Sequence, residues 1–551
     1  MGSSETVEER RISAWAPLRN RVFFALFVAQ LVSNLGTLMQ SVGAAWLVGD
    51  LGASSALIAM VQTATFLPVF LVGIPAGVLA DVFDRRKLLI GAQSGMMLAA
   101  TAMAVMTFSG SITTGVVLGL TFALGFGSAL NIPAWQAIQP DLVPKEQFGQ
   151  AVALGGMTYN VGRAIGPAIG GLVIASAGAG WVFAVNAISF AGTIAVLVVW
   201  RPSAGESSHV PAETFTGAAV AGIRYGFHSP LVRTVLVRVG LLMLPAAAFT
   251  ALLPVLVRGP LQWGSGGFGF LLGCNGLGAA ASALVRPRIV RRLPPDAVSA
   301  VAGVVLAAAL IVQGFVHNRT AVAVSLVASG VGLALALIET TVAAQAAMPA
   351  WVRARGLSLY TLVMTGSVAV GSVVVGLVAN RSLSGAYLVA AIVIGLGPLA
   401  IFRWPLTRSQ EVDLTLVPGE VPMVALDPAD NDGPVFVSVT YRVPSERLSE
   451  FGPLMALVEQ HRRRTGGFRW GLYRDLAEPD RFVETFLVAS WAEHLRQHHR
   501  TTVAGDEMLR GLRPFVDDHA RTVGHFLSAA SAGGMAPHVA GETQEEFTEE
   551  V

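Results

Sequence analysis

Twelve apolar runs punctuate the chain, near residues 22–48, 56–79, 88–108, 113–133, 151–177, 180–200, 233–257, 266–286, 297–316, 321–341, 356–379 and 385–404. A span needs about 20 apolar residues, because the hydrocarbon layer is roughly 30 Å thick and a helix rises about 1.5 Å per residue. Each run is predicted as a helix, since lipid offers backbone N–H and C=O groups no partner. A polar stretch, RPSAGESSHVPAET, follows Trp200 and divides the runs into two sets of six. FTGAAVAGIRYGFHS, which comes next, is predicted as a short interfacial helix. The fourth and tenth runs end alike, in GSALNIPAWQAIQPDLVP and ALALIETTVAAQAAMP, with small residues, a polar interruption and a proline before a charged loop. Such a weak repeat points to duplicated halves, with a binding site between them.

Past Pro405 the pattern changes. Residues 406–433 hold acids and prolines with little periodicity, so they are predicted as a linker. PVFVSVTYRV alternates like a half-buried strand, a helix is expected over 445–464, and FRWGLYRDLAEPDRFVETFLVAS should form two strands joined by a polar turn. WAEHLRQHHRTTVAGDEMLRGLRPFVDD is predicted as one helix and ARTVGHFLSA as a last strand. Gly452-Pro453 should kink or interrupt the earlier helix. The expected fold is an all-α polytopic membrane protein of twelve transmembrane helices in two six-helix halves (1–200 and 233–405), joined by a cytoplasmic linker and interfacial helix at 201–232. A small α+β ferredoxin-like domain of βαββαβ order follows at 434–530, and a disordered tail is expected at 531–551.

Composition sharpens this picture. Hydrophobic residues make up 53% of the 551 and charged residues only 13%, against about 25% charged in soluble domains. A net charge of +2, with scattered basic residues, argues against nucleic acid as a partner. The lone Cys274 rules out an intramolecular disulfide and argues against a cysteine-based zinc site. The N-terminal MGSSETVEERRISAWAPLRN lacks the apolar core of a cleavable signal, so the first run is expected to stay as a span. With both ends of the bundle cytoplasmic, the outer loops carry only Arg258, Arg319 and Arg381, while most cations, Arg85, Arg86 and Arg291 among them, fall inside.

Several residues then stand out as chemistry. In GVLADVFDRRK, at 77–87, Gly77 permits close helix approach, Asp81 can meet the positive end of a helix in the other half, and Arg85 and Arg86 can pair with acids or helix C-termini. The plainer alternative is that these cations only set orientation. In the fifth run, Gly162, Gly166, Gly170 and Gly171 form a small-residue ridge and Pro167 frees a carbonyl, which serves either function or helix packing alone. Glu339 is the clear carboxylate within a run and is assigned as proton carrier, with Arg163 or Arg238 as its charge partner and Asp50 at the outer end of the first run. The competing reading makes Glu339 an ordinary loop-end acid. Gln30, Asn34, Thr37 and Ser41 form a polar stripe on the first run, suited to a substrate cavity that Asn131, Trp135, Gln136 and Asn160 could join, or to interhelical hydrogen bonds. His494 and His498 are four apart, a metal-compatible spacing, but are read as a solvated helix face; no metal is expected.

These motifs carry a resemblance. GVLADVFDRRK resembles the loop 2–3 signature of the major facilitator superfamily, through Gly77, Leu79, Ala80, Asp81, Arg85 and Arg86. Val82 and Asp84 depart from it, standing where that pattern has a basic residue and a glycine. NVGRAIGPAIGG resembles the superfamily's antiporter motif, with Ala153 in place of an upstream glycine. With LVSNLGTLMQSVGAAWLV, NIPAWQAIQPDLVP and WAEHLRQHHRTT, the chain is similar to the bacterial family of enterobactin exporters and macrolide-efflux-like proteins with a soluble C-terminal extension. The resemblance implies a secondary transporter of the inner membrane, no enzyme. It would export siderophore- or drug-like small molecules by alternating access in exchange for protons, with no cofactor beyond the proton gradient. Uptake is one alternative. Another is a membrane-tethered enzyme, because the C-terminal domain also resembles small dimeric monooxygenase-like folds; packing against the bundle or self-association is the role expected of it here.

Overall fold

The computed structural model describes residues 13, 15–200, 215–406, 411–417, 422, 424, 428–516 and 523–528, with the side chains of residues 74, 78, 80–82, 140, 141, 145 and 215–220 excepted. The expected tail at 531–551 and most of the expected linkers lie outside these residues.

The chain forms two compact units. The first holds the membrane helices. Its first half runs α1 (Arg21–Asp50), α2 (Ser55–Val82), α3 (Arg85–Phe108), α4 (Thr114–Leu142), α5 (Phe148–Ala177) and α6 (Ala179–Val199). Local chemistry sets the starts: the side chains of Asn20, Ser54, Asp84 and Thr113 each accept a backbone N–H of the following first turn. Asp84 therefore has a structural reason to stand where the superfamily signature has glycine. After α7 (Phe215–His228), the second half begins with a broken helix, α8 (Pro230–Ala246), α9 (Ala248–Ala251) and α10 (Leu253–Arg258). Pro245 and Pro254 lie at the breaks, where each lacks an N–H and crowds the preceding turn. The half continues with α11 (Ser265–Val290), α12 (Pro295–Phe315), α13 (Arg319–Ala346), α14 (Arg353–Ala379), α15 (Leu383–Leu396) and α16 (Ala400–Arg403).

Among the described residues, 11 helices are long and apolar enough to cross a membrane, with α8–α10 counted as one and α15–α16 as one. The expected fifth span, α5, is 30 residues long but is not among them; its glycines and Arg163 dilute its apolar character.

The second unit gathers residues 213–233, 343–359 and 408–551. It contains a four-stranded antiparallel sheet made by β1 (Val435–Arg442), β2 (Phe468–Arg474), β3 (Arg481–Val488) and β4 (Val523–Leu527), in the order β2-β3-β1-β4. Strand β1 alternates, with Val435, Val437, Val439 and Tyr441 buried; they pack with Phe451, Met455, Phe486, Val488, Trp491 and Phe515. Helix α17 (Leu448–Thr465) runs unbroken through Pro453, contrary to the interruption expected there. Pro453 is the sixth residue of the helix, and only the one bond its N–H would have made, to the Ser449 carbonyl, is lost. The single helix expected after Ser490 is two, α18 (Trp491–His499) and α19 (Val503–Arg510), because Thr502 adopts an extended backbone and caps Gly505 N–H.

Within this unit, Arg224 of α7 pairs with Glu493 at 3.2 Å, and Arg500 binds the same carboxylate at 2.6 Å. The Arg500 guanidinium also lies 4.4 Å from the Trp351 ring centre, and Trp351 meets Tyr225 edge-on at 5.5 Å. The sheet domain is thus joined to both α7, the connector of the two halves, and the α13–α14 connection. Glu484 is wholly buried, with its carboxylate bound by Arg462 at 3.1 Å, Trp470 at 3.0 Å and Tyr441 at 2.8 Å.

These groups predict the pH response of the sheet domain. Burial, then the charges of Arg464 and Arg462, holds His461 well below 6.5. The unfolded chain binds that proton and the folded one refuses it, so this contribution is complete above pH ~6.5 and lost as pH falls. Its slope approaches about 1.4 kcal/mol per pH unit. Burial raises Glu484 and Glu493, but Arg462 and Arg500 more than offset it and hold both low. Their stabilisation is present above about 4.5 and lost below. Protection factors of the β1 and β3 amides in the full-length protein, corrected for the intrinsic exchange rate at each pH, are expected to fall from pH 7 to 5, then more steeply below 4.5. Flat protection from pH 7 to 5 would refute the role of His461.

Candidate transport site between the two halves

The two halves meet where α1 ends and α2 begins. Arg258, at the end of α10, pairs with Asp50 at 2.8 Å, donates to the Trp46 carbonyl at 2.5 Å, and covers the Trp46 ring 3.8 Å from its centre. Asn380 accepts the Ala56 N–H at 2.9 Å, and Thr63 donates to the Ala369 carbonyl at 2.9 Å. Asp50 thus pairs with Arg258 across the halves, while the ion pair of Glu339 is with Arg286.

Glycine lets α5 and α11 touch backbone to backbone. A Cβ at Gly171 would lie 2.5 Å from Gly269 Cα, and one at Gly276 would lie 2.8 Å from Ala164 Cα. On the neighbouring ridge, Gly162, Gly166 and Gly170 rest against Asn34, Leu35, Leu38 and Met39 of α1, so the motif glycines serve two interfaces. Pro167 is buried between them, and its carbonyl would lie 2.8 Å from a Cβ at Gly269.

The contact does not continue along the helices. One turn and two turns before Ala164, Asn160 and Met157 are exposed. On α2, a Cβ at Gly73 would meet Leu362 of α14 at 3.9 Å, while one at Gly77 would meet nothing within 4 Å. Among the described residues, no neighbouring helix thus comes close to Gly77, where close approach was expected. The halves are tied at the Asp50 end and part towards the start of α5.

In the first half, a crevice opens among α1, α4 and α5, lined by Phe23, Phe27, Gln30, Trp135, Gln139 and Thr158 among others. The Gln30 amide donates to Asn34 at 3.0 Å, and Asn34 donates to the Thr158 hydroxyl at 3.0 Å. The Gln30 Oε1 is buried with no hydrogen-bond partner. Of the residues expected in a cavity, Gln30 and Trp135 line this crevice, and Asn34 is hydrogen-bonded to two of its lining residues, Gln30 and Thr158. Thr37 is exposed on α1, and Asn160 is exposed where α5 leaves α11. Asn131 instead accepts from Gln93 at 3.0 Å, a bond between α4 and α3. Gln139 and Thr158 were missed, although Thr158 lies one turn from Gly162 on the same side of the fifth run.

The charge partners differ from those expected. Glu339 is 1% exposed and pairs with Arg286 of α11 at 2.8 Å, with Oε2 left unbonded. Arg238 faces Asp296 of α12 at 3.7 Å instead. Arg163 is half-buried and has no ion pair among the described residues. Position along the chain could not reveal these pairs, because Arg286 and Glu339 are 53 residues apart. In the 77–87 loop, Arg85 donates to the Ala137 carbonyl at 3.1 Å, while Arg86 donates to the Leu197 and Val198 carbonyls at 2.7 and 2.6 Å. Arg86 thus does meet a helix C-terminus, but within its own half; the side chain of Asp81 lies outside those described. His494 does not lie on a solvated face, being 2% exposed.

Known structures share this fold. That of a bacterial homologue of the iron transporter ferroportin, in its inward-facing state, matches with TM-score 0.55 and 16% identity, over 70% of this chain and 98% of that one. A POT family transporter in complex with 5-aminolevulinic acid matches with TM-score 0.56 and 13% identity, over 70% and 96%. The fold is that of a mostly helical, polytopic membrane transporter of the major facilitator type. A family model described as transmembrane secretion effector matches residues 12–533, and the chain belongs to that family. The Staphyloferrin A transporter of Staphylococcus aureus (strain NCTC 8325 / PS 47) is 28% identical over 268 residues, 48% of this chain and 66% of that protein. Enterobactin exporter EntS of Shigella boydii serotype 4 (strain Sb227) is 30% identical over 276 residues, 50% of this chain and 65% of that protein. In both, the match covers just under two thirds of the relative's own length.

Proposed function

We propose that this chain exports siderophore-like small molecules across the bacterial inner membrane by alternating access, in exchange for protons. The observation that carries the reading is the asymmetric seam between the halves, tied at the Asp50 end and parted at the other, beside the largely apolar crevice lined by Phe27, Gln30, Trp135 and Gln139. With α5 as a twelfth span and both bundle ends cytoplasmic, the parted end is the inner one and the structure is the inward-open state. Arg258–Asp50 and the Gly171–Gly269 contact are the outer seal. The relatives named for enterobactin and staphyloferrin A support the substrate class. Glu339 carries the proton, released from Arg286 when the pair opens. The C-terminal domain, whose strand order β2-β3-β1-β4 supports a ferredoxin-like fold, is an accessory that holds the cytoplasmic connectors.

The test compares spent medium and cell extract from a deletion strain and its complemented parent in iron-poor culture, by untargeted mass spectrometry. An iron-chelating metabolite should accumulate inside the deletion strain and disappear from its medium. Loss of uptake of that metabolite from the medium, with no change in release, would reverse the assigned direction.

A further inference from the structure

Three imidazoles converge under the sheet of the C-terminal domain. His494 and His498 are four residues apart on α18 and share one face. His525 on β4 pairs with Val437 of β1 in antiparallel register. Residues opposed in this way point to the same side of a sheet, and Val437 is buried, so His525 is aimed into the helix-covered side. One ring nitrogen from each histidine lies within 4.8 Å of the other two. The Nε2 atoms of His494 and His498 are 3.4 Å apart. That is close to the roughly 3.4 Å between ligands of a tetrahedral site with bonds of about 2.0–2.1 Å.

The surroundings suit a ligand site. Trp491 walls it, 5.5 Å from His494 and 6.3 Å from His525 between ring centres. The Nδ1 of His494 is buried and has no hydrogen-bond partner among the described residues. A metal takes the lone pair of an unprotonated imidazole nitrogen, which His494 and His498 both offer at this spacing. Arg462 acts on both rings, but its charge is answered by Glu484 at 3.1 Å. An arriving dication therefore meets an ion pair, not a bare cation.

We propose that His494, His498 and His525 form a binding site for a first-row divalent cation of the zinc type, with a fourth position open to water or an anionic ligand. Neutral imidazoles favour zinc-like ions over magnesium or calcium, which prefer oxygen. The site lies on α18, whose Glu493 is shared by Arg224 and Arg500, so its occupancy braces the helix that holds the cytoplasmic connectors.

The test uses the full-length protein in detergent, carrying an affinity tag without histidine and stripped of metal by a chelator. Zn2+ is titrated in competition with a chromophoric chelator, and Co2+ is added separately as a coordination probe. One Zn2+ per chain is expected, with a four-coordinate Co2+ spectrum. His498→Gln and His525→Gln, both at half-buried positions, should each weaken binding by about 10–100-fold or more. His499→Gln, at an exposed neighbour, should leave it unchanged. Circular dichroism and gel filtration show that each variant remains folded. Absence of binding, a six-coordinate Co2+ spectrum, or binding that survives both substitutions would overturn the proposal and leave the cluster as aromatic packing.

Discussion

Glu339→Gln is expected to slow proton-driven export by about tenfold or more, the effect of roughly 1.4 kcal/mol on a rate-limiting step, and to flatten its dependence on pH. Glutamine keeps the shape of the side chain and can still accept from Arg286, so insertion and folding should survive. What it removes is a 1%-exposed carboxylate that can exist in two protonation states. Arg286 pairs with it at 2.8 Å and is itself 30% exposed on its side chain, so one partner of the pair reaches the surface of the bundle. In the proposed cycle, opening that pair is the event that lets Glu339 take a proton. Removing one partner of a buried pair outright costs about 3–5 kcal/mol, so Glu339→Ala would confuse instability with lost coupling; glutamine avoids this. Transport into inverted vesicles, measured at several pH values with the protein level matched, gives the answer. An unchanged pH profile in Glu339→Gln would dismiss it as the coupling group.

Gly269→Leu should have the second large effect, for a steric reason. Its Cβ alone would lie 2.7 Å from Gly171 Cα and 2.8 Å from the Pro167 carbonyl, both backbone atoms that no rotamer change can move. The helices must separate, at an overpacking cost of about 1–3 kcal/mol. Because this contact belongs to the end at which the halves are tied, that cost falls on the conformation seen in the structure and shifts the conformational balance by about 5–150-fold. Transport should fall in proportion, with a lower melting temperature in detergent. Gly266→Ala is the control, since its Cβ would meet Ala175 at an ordinary 3.8 Å. Normal transport and melting by Gly269→Leu would show that the seam is looser than drawn.

Much of the architecture was legible because it is written locally. Eleven of the helices answer to apolar runs of spanning length, and the starts of α1 to α4 answer to a capping Asn, Ser, Asp or Thr. The alternation of Val435, Val437 and Val439 marks a strand with one buried face, whatever lies across from it. Local reading failed where one residue type tolerates two contexts: Pro453 inside a helix does not break it, whereas Thr502 splits a stretch that otherwise reads as continuous helix.

The sequence by itself determined that this is a membrane protein of two helical halves with a small sheet domain, and it picked out Glu339, the motif glycines and the Gln30–Asn34 stripe as unusual. Only the tertiary structure decided what those residues touch. Arg286 reaches Glu339 across 53 positions, Arg258 reaches Asp50 across 208, and His525 arrives beside His494 from another strand. Helical periodicity fixes which residues share a face within one element, but a side chain's charge partner depends on how separate elements are brought together. That placement is set by the packing of glycine ridges and buried faces over the whole chain, and no window of neighbouring residues contains it.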